Sequence, residues 1–190
     1  MDTQQRLIES TRELLWERGY VGTSPKAIQQ LAGAGQGSMY HHFSGKAELA
    51  LAALQQSAEQ LRSQAEEQFG GSGHTFKRVS DYLLRERDVL RGCRIGRMEQ
   101  DPDIIASPEL REPLEHTFAW LRQRLETVLA EGQARGELLA GLNPKTTAAM
   151  LLAVLQGGYV LARAANSVQP YRDAIQGALS LLRTHVAEDT

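Results

Sequence analysis

Apolar residues recur at the spacing of one helical face along most of the chain and predict an all-α fold of about nine helices. In the first helix, Leu7, Leu14 and Leu15 share a side opposite charged residues, and Gly19 ends it. The further predicted helices cover residues 25–32, 36–42, 46–69, 76–90, 93–100, 108–136, 144–166 and 170–187. No segment alternates apolar and polar residues between turn signals, so no strand is predicted.

Capping and breaking residues define the ends of several of these helices. Ser24, Ser107 and Asn143 each precede a proline, which places a capping side chain before a proline at the first helical position. The glycine-rich residues 70–73 form the clearest loop in the chain. The helix boundaries therefore depend on local residue chemistry as well as on periodicity.

Two short helices within residues 24–43 are joined by the turn Gly33, Ala34 and Gly35, which is the layout of a helix-turn-helix. In such a motif the first helix braces the second, and the second lies in the major groove of DNA. Small and polar side chains on the second helix, opposite Met39 and Phe43, are candidates to face the bases: Gln36, Gly37, Ser38, Tyr40 and His41. Hydroxyl and ammonium groups at the helix ends are candidates to contact phosphates: Thr23, Ser24, Lys26, Tyr40 and Lys46.

Charge gives this interpretation only modest support. The formal net charge is -2 and the isoelectric point is about 6.2, which is not typical of a strongly basic nucleic-acid binder. The charges are unevenly divided, however, because residues 1–46 have one more basic than acidic residue and the remainder has three more acidic than basic residues. The first part of the chain is thus the better candidate for a DNA contact.

Composition excludes several other classes of protein. We expect no membrane span, because no apolar run approaches the roughly 18 residues that a spanning helix needs. The polar N-terminus lacks the layout of a secretory signal, so a cytoplasmic protein is expected. The single cysteine, Cys93, excludes an internal disulfide and a thiolate metal cluster. We therefore expect neither a metal nor a cofactor.

The motifs of the N-terminal part resemble the TetR family of bacterial repressors. The resemblance covers residues 5–54 and is carried by GYVGTSPKAI at residues 19–28, AGA at 32–34 and GSMYHHFSGKAEL at 37–49. Two positions depart from the family's usual pattern. Gly35 stands where Ser or Thr often caps the second helix, and Ser44 stands where proline is common. Glycine is a tolerated cap and costs roughly a few tenths of a kcal/mol.

The resemblance implies a homodimeric regulator. The expected architecture is a three-helix DNA-binding domain at residues 1–46 and a larger helical domain at 47–190 that binds an effector and dimerises through residues 144–187. Small residues in the last two predicted helices, such as Ala149, Ala153 and Gly157, agree with close packing across a two-fold axis, and packing within one chain explains them almost equally well. The expected function is repression at an inverted-repeat operator, which a small molecule relieves.

The effector pocket is expected between the central helices. Ligand pockets are mostly apolar with a few polar anchors. Residues of that kind on these helices are Tyr82, Cys93, Met98, Phe118, Leu121, Met150, Gln156 and Tyr159. Each of them is also an ordinary candidate for core packing.

Cys93 has two possible roles. The segment at residues 90–97 resembles the Gly-Cys-x-x-Gly element of one branch of the family, some members of which sense electrophiles or oxidants through cysteine. Arg91, Arg94 and Arg97, together with the start of a helix, would stabilise a thiolate there. Cysteine also packs well as a small apolar side chain, so a structural thiol is the alternative.

Two other functions remain open. The protein could bind DNA without any effector, or it could be an α-helical enzyme or carrier whose N-terminal helices only pack. The enzyme hypothesis lacks a Cys-His pair, a serine triad or a metal-ligand pair at a telling spacing within one helix. The adjacent His41 and His42 point about 100° apart on a helix and do not form the i, i+4 pair that binds a metal. We therefore expect no enzymatic activity.

Overall fold

The computed structural model describes residues 1–187, which form nine α-helices and no β-strand. The helices are α1 (Thr3–Arg18), α2 (Pro25–Ala32), α3 (Gln36–His42), α4 (Lys46–Phe69), α5 (Thr75–Leu84), α6 (Pro102–Ala106), α7 (Pro108–Ala134), α8 (Pro144–Ala165) and α9 (Gln169–Arg183). A single antiparallel bridge joins Leu138 and Val186. The predicted all-α class and the number of helices are confirmed.

The segment between α5 and α7 differs from the prediction. Residues 93–100 do not form a helix; they are turns followed by the short 3-10 helix Met98–Gln100. Gly92 at φ 83° breaks the chain before this segment, and α5 already ends at Leu84 because Arg85 is extended. The sixth helix is instead α6, whose N-cap Asp101 accepts hydrogen bonds from the backbone N–H groups of Asp103 and Ile104.

The structure divides into two compact units. The first contains Met1–Leu61 and Arg94–Thr117, and the second contains Arg62–Cys93 and the chain from Phe118 onward. Two of the boundaries fall inside the long helices α4 and α7, and the third lies between Cys93 and Arg94, outside the helices.

The core of the first unit brings the first three helices together with the start of α4. Its buried side chains come from all four helices and from the residue that follows α3: Leu7, Leu14, Ile28, Ala32, Met39, Phe43 and Leu49. Burying one large apolar side chain contributes about 1.5–3 kcal/mol relative to leaving it exposed. The opposite side of α3 remains in solvent, because its buried residue is Met39.

The core of the second unit contains close helix contacts and one buried cation. A side chain at Gly158 in α8 would approach the ring of Tyr171 in α9 to 3.0 Å, so glycine permits the tight packing of these two helices. Arg78 is buried, and its Nε donates a 2.9 Å hydrogen bond to the Phe69 carbonyl while its Nη1 forms a 3.2 Å ion pair with Glu131. This arrangement satisfies the carbonyl at the end of α4.

Helix α8 is more apolar than the sequence analysis anticipated. Within the described chain it is the one helix that is long and apolar enough to cross a membrane, with 22 residues and a mean hydropathy of 1.5 in its most apolar window. Its Ala, Leu, Val and Gly residues are accompanied by only two charged side chains, Lys145 and Arg163. Core helices of water-soluble proteins also meet these criteria, so this single helix is weak support for a membrane protein.

Candidate nucleic-acid interface and ligand site

The predicted helix-turn-helix forms as α2, a three-residue turn and α3. The Ser24 side chain caps α2 by accepting a 3.2 Å hydrogen bond from the Ala27 N–H. Gly33 adopts the left-handed conformation at φ 60°, which ends α2 and turns the chain toward α3. Gly35 precedes α3 without a side-chain cap. The orientation of α3 therefore depends on the turn and on the buried Met39 and Phe43.

The candidate DNA-contacting side chains mostly lie at the surface. Tyr40 is 49% exposed. Ser38 and Lys46 are half-buried, and the remaining exposed members of the set are Ser24, Lys26, Gln36, Gly37 and His41. Met39 faces the core, so the exposed residues of α3 form a polar face. This face is accessible to the major groove of DNA.

Thr23 differs from the other predicted phosphate contacts. Its side chain is 1% exposed, and its hydroxyl donates a 2.7 Å hydrogen bond to the Gly19 carbonyl. The Thr23 N–H also donates to the Tyr20 carbonyl at 3.1 Å. In this structure Thr23 organises the loop between α1 and α2, and its hydroxyl does not face solvent.

Lys46 lies at the first position of α4, where its ammonium group is held over an aromatic ring. Its Nζ is 3.8 Å from the centroid of the Tyr20 ring. Partial burial lowers the pKa of Lys46, while the nearby Asp103 and Asp101 act in the opposite direction. The contact orients the lysine at the N-terminus of a helix, where backbone N–H groups also attract anions.

The residues that precede Lys46 form a local cap for α4. Both the backbone N–H and the hydroxyl of Ser44 donate 2.7 Å hydrogen bonds to the Glu48 carboxylate. These bonds lower the pKa of Glu48. Ser44 therefore takes part in the start of α4 even though proline is the more common residue there in the family that the sequence resembles.

Asp101 is a residue of the first unit that the sequence analysis did not select as functional. Its Oδ2 accepts hydrogen bonds from the N–H groups of Tyr20 at 2.7 Å and Val21 at 3.1 Å. Arg94 and Arg97 also bind elements of the first unit, since Arg94 lies over the Trp16 ring at 3.9 Å and Arg97 donates to the Trp16 carbonyl. The sequence predicted Asp101-Pro102 only as the end of a helix at residues 93–100, whereas Asp101 caps the start of α6, and no local signal indicated the partner 81 residues away.

The predicted effector residues do not all lie in one compact unit. Met98 is buried in the first unit, whereas the other seven lie in the second. Within the second unit, Tyr82 and Leu121 are 1% exposed and Tyr159 is also buried. The half-buried members are Cys93, Phe118, Met150 and Gln156.

Tyr82 and Tyr159 belong to a cluster of tyrosines and arginines that the sequence did not reveal. The guanidinium carbons of Arg85 and Arg87 lie 5.4 and 5.2 Å from the Tyr82 ring centroid. The ring centroids of Tyr159 and Tyr171 are 5.1 Å apart. Burial raises the pKa of all three tyrosines, so their hydroxyls remain protonated at neutral pH.

Cys93 lies beside this cluster and has different surroundings from those predicted. The thiol is half-buried and close enough to Tyr82, Arg85 and Tyr159 for their charges to interact. It does not lie at the start of a helix, because Cys93 itself is irregular and residues 94–97 are turns. The prediction that the start of a helix stabilises a Cys93 thiolate is therefore wrong.

The His41 and His42 rings meet edge to face, with centroids 5.0 Å apart. His41 is exposed, and His42 also contacts the Phe43 ring at 6.5 Å. In residues 1–187 no group of three or more His, Cys, Asp or Glu side chains is placed to hold a metal ion. The histidine pair is thus part of the α3 surface and its edge.

Two family models match the chain. One describes bacterial regulatory proteins of the tetR family and matches residues 7–53. The other describes a tetracyclin repressor-like C-terminal domain and matches residues 74–178. The first match contains the entire helix-turn-helix, and the second contains the tyrosine–arginine cluster and Cys93.

Similar proteins and structures cover nearly the same length. The transcriptional regulator UidR of Escherichia coli K12 is 25% identical over 188 residues, which are 94% of this chain and 93% of UidR. The repressor DhaR of Mycobacterium sp. strain GP1 is 25% identical over 170 residues, 88% of this chain and 85% of DhaR. A crystal structure of a TetR transcriptional regulator from Chloroflexus aurantiacus J-10-FL has a TM-score of 0.85 and 27% identity, covering 97% of this chain and 96% of that one.

Proposed function

Since this chain belongs to the TetR family of bacterial transcriptional regulators, we propose that it is a homodimeric repressor that binds an inverted-repeat operator and releases it when a small-molecule effector binds. The observation that carries the proposal is the exposed polar face of α3, mounted on a buried core through Met39 and Phe43. A repressor among the relatives, DhaR, favours repression over activation. Such a protein acts on DNA in the cytoplasm.

The DNA contacts follow from the arrangement of side chains around α3. Gln36, Gly37, Ser38 and His41 face the base edges of the major groove, where small and polar groups discriminate between bases. Ser24, Lys26, Tyr40 and Lys46 contact phosphates on either side and set the register of the protein on the duplex. Thr23 holds the loop between α1 and α2 in place through its bond to Gly19.

We propose that residues 1–46 form the DNA-binding domain and that residues 47–190 serve effector binding and dimerisation. This functional division need not follow the compact units, because α4 contributes Leu49 to the core around α3. Tetracyclin repressor-like similarity begins at residue 74, within the proposed effector part.

The dimer interface is proposed on α8 and α9, within residues 144–187. Large apolar side chains are exposed on both helices: Val160 at 52%, Leu161 at 55% and Leu181 at 63%. Small exposed residues accompany them, including Ala149, Ala153 and Gly177. An apolar helical face with small residues suits close packing against an identical face across a two-fold axis. Two-fold symmetry in the protein then matches two-fold symmetry in the operator.

Effector control requires two conformations with different affinities for the ligand. In one of the two conformations, the α3 helices of the two protomers are wrongly spaced for the operator. A small molecule that binds this conformation more tightly lowers the affinity for DNA by the ratio of its affinities for the two conformations. Operator DNA then lowers the affinity for the effector by the same factor. The tyrosine–arginine cluster of the second unit supports a ligand site there, with Tyr82 and Tyr159 among the residues predicted for it.

We propose Cys93 as a second site at which DNA release is controlled. Its half-buried thiol lies close enough to Arg85 for the two groups to interact electrostatically. Modification of the thiol would then replace or supplement ligand binding. Diamide should release DNA from the wild type and not from Cys93→Ser. Equal release from both proteins would show that Cys93 is a packing residue.

The proposed function is tested by capture and sequencing of sheared genomic DNA with the purified protein at two salt concentrations. Phosphate contacts make affinity strongly dependent on salt, so both concentrations must be stated. Enrichment of a short inverted repeat is expected at both. No enrichment at either would contradict the proposal and favour an α-helical enzyme or carrier. Operator binding that no added small molecule weakens would favour a regulator that acts without an effector.

A further inference from the structure

A cavity of about 580 Å³ lies in the second unit, between the segment that follows α5 and the first half of α9. This volume is in the range of roughly 300–1,000 Å³ that sites for small molecules occupy. Tyr171 and Ile175 contribute apolar surface to the wall, and Arg85 and Arg87 lie on the side formed by the segment after α5. The cavity therefore combines an apolar surface with two cationic groups.

Arg85 lacks a hydrogen-bond acceptor for one of its donors, whereas Arg87 is bonded to neutral oxygen atoms only. The Nε–H of Arg85 is buried without a hydrogen-bond partner, while its Nη1 donates a 3.0 Å bond to Gln64. Arg87 donates to the backbone carbonyls of Leu83 and Arg85 at 3.0 Å, and to that of Tyr82. Within residues 1–187, no carboxylate forms an ion pair with either guanidinium. Unpaired cations in a partly buried place are costly unless an anion joins them.

The cost is visible in the electrostatics of the pair. Burial, followed by the charge of Arg87, lowers the pKa of Arg85. Both guanidinium groups lie near the Tyr82 ring and both line the cavity, and their like charges repel each other. An anion between them would relieve the repulsion and supply the missing acceptor for the Arg85 Nε–H.

The acidic residues of the cavity wall do not remove this positive character. Glu86 is exposed, and Asp173 accepts a 2.8 Å hydrogen bond from the Gln169 side chain. A third arginine, Arg172, also lines the cavity, so its basic side chains outnumber its acidic ones.

We propose that this cavity binds a small organic anion, whose carboxylate or phosphate group lies at Arg85 and Arg87 and whose apolar body lies against Tyr171 and Ile175. The inference rests on the proposed function because it takes this anion to be the effector that releases DNA. Guanidinium groups suit such anions because their planar donors match two oxygens at once.

Two fluorescent probes with one aromatic skeleton test the charge recognition. 8-Anilinonaphthalene-1-sulfonate carries an anionic group, and N-phenyl-1-naphthylamine lacks it. Titration of the full chain with each dye, without DNA, should show tighter binding of the sulfonate. Arg85→Gln should weaken sulfonate binding by about tenfold or more, as expected for the loss of a charge-assisted hydrogen bond, and leave the neutral dye unchanged. Arg85→Lys, which keeps the charge but lacks the planar pair of donors, should lose part of the affinity and bind the sulfonate better than Arg85→Gln does.

Arg122→Gln is the matched control, because it removes one positive charge from α7 in the same unit and from outside the cavity. It should leave both titrations unchanged. Equal affinity of the two dyes for the wild type, or sulfonate binding that Arg85→Gln does not alter, would overturn the inference even if operator binding is intact. Sulfonate selectivity in a protein that captures no operator would instead refute the proposed function and leave the anion site standing.

Discussion

The Asp101 carboxylate accepts a 2.7 Å hydrogen bond from the backbone N–H of Tyr20, which lies 81 residues earlier in the chain. The same carboxylate caps α6 by accepting a hydrogen bond from the Ile104 N–H. The ammonium group of Lys46 lies over the Tyr20 ring. Gly19 lies beside the Asp101 carboxylate with φ 75°, and a Cβ atom at this position would approach the carboxylate to 2.9 Å. The start of α6, the loop before the helix-turn-helix and a proposed phosphate contact are thus joined within the first unit.

Asp101→Asn should destabilise the protein and weaken operator binding. An amide nitrogen cannot accept from the Tyr20 and Val21 N–H groups, and an unsatisfied buried group costs about 1–3 kcal/mol. Urea unfolding and fluorescence anisotropy with operator DNA measure the two effects. Asp103→Asn removes an equal charge near Lys46 at an exposed position, so it is the control for the loss of charge and should leave the free energy of unfolding unchanged. An Asp101→Asn protein with wild-type stability would contradict the structural role of this bond.

Lys46→Ala should weaken binding to all DNA sequences and reduce the salt dependence of the binding constant by about one phosphate contact. The reason is that Lys46 provides a charge at the start of α4 and does not face base edges. Anisotropy titrations over a range of salt concentrations give the slope. Lys77→Ala removes an exposed lysine from α5, outside both proposed interfaces, and should leave the slope unaltered. An unchanged slope for Lys46→Ala would remove this residue from the interface.

Leu161→Glu and Leu181→Glu should each convert the protein to a monomer. Both side chains are more than half exposed in the single chain, and a carboxylate buried at an apolar interface is strongly unfavourable. Sedimentation equilibrium measures the mass in solution, and operator affinity should fall with the loss of the dimer. Leu139→Glu places the same charge at an exposed leucine outside α8 and α9 and should preserve the dimer. Dimers in both α8 and α9 variants would place the interface elsewhere.

Glu137 should contribute stability that acid removes. Hydrogen bonds from Arg135, chiefly, and from Thr75 lower the pKa of Glu137 to about 2. A carboxylate with a depressed pKa stabilises the fold fully above its unfolded pKa, and this contribution disappears as pH falls from about 4.5 toward 2. Urea midpoints of the wild type and Glu137→Gln should differ at pH 7 and converge at pH 2–3. Glu126→Gln removes a half-buried carboxylate that lies 3.9 Å from Arg122, and it should show a smaller difference at pH 7.

The sequence predicted the elements whose ends depend on neighbouring residues. Ser24-Pro25 and Gly33 bound α2, Asn143-Pro144 opens α8, and the polar face of α3 follows from its spacing. The same local logic failed at residues 93–100, where a plausible helical pattern is broken by Gly92 in a left-handed conformation. The pattern alone cannot show that a glycine there has positive φ.

Features that depend on distant residues could not be predicted. The convergence of Arg87 with Tyr159 and Tyr171 brings the segment after α5 together with α8 and α9, which lie more than 70 positions later in the chain. The burial of Thr23 depends on the path of the loop that Asp101 holds. Periodicity identifies which face of a helix is apolar, but it does not identify the partner of that face.

The most direct test of the central claim is the stoichiometry and sequence preference of binding to the captured operator. Analytical ultracentrifugation of the complex, together with anisotropy on intact and half-scrambled operators at a stated salt concentration, provides both quantities. We predict two chains on each inverted repeat, with half-sites separated by about one helical turn or a multiple of it, and a large loss of affinity when one half is scrambled. Binding of a single chain, or equal affinity for intact and scrambled DNA, would contradict a dimeric regulator that reads DNA through α3.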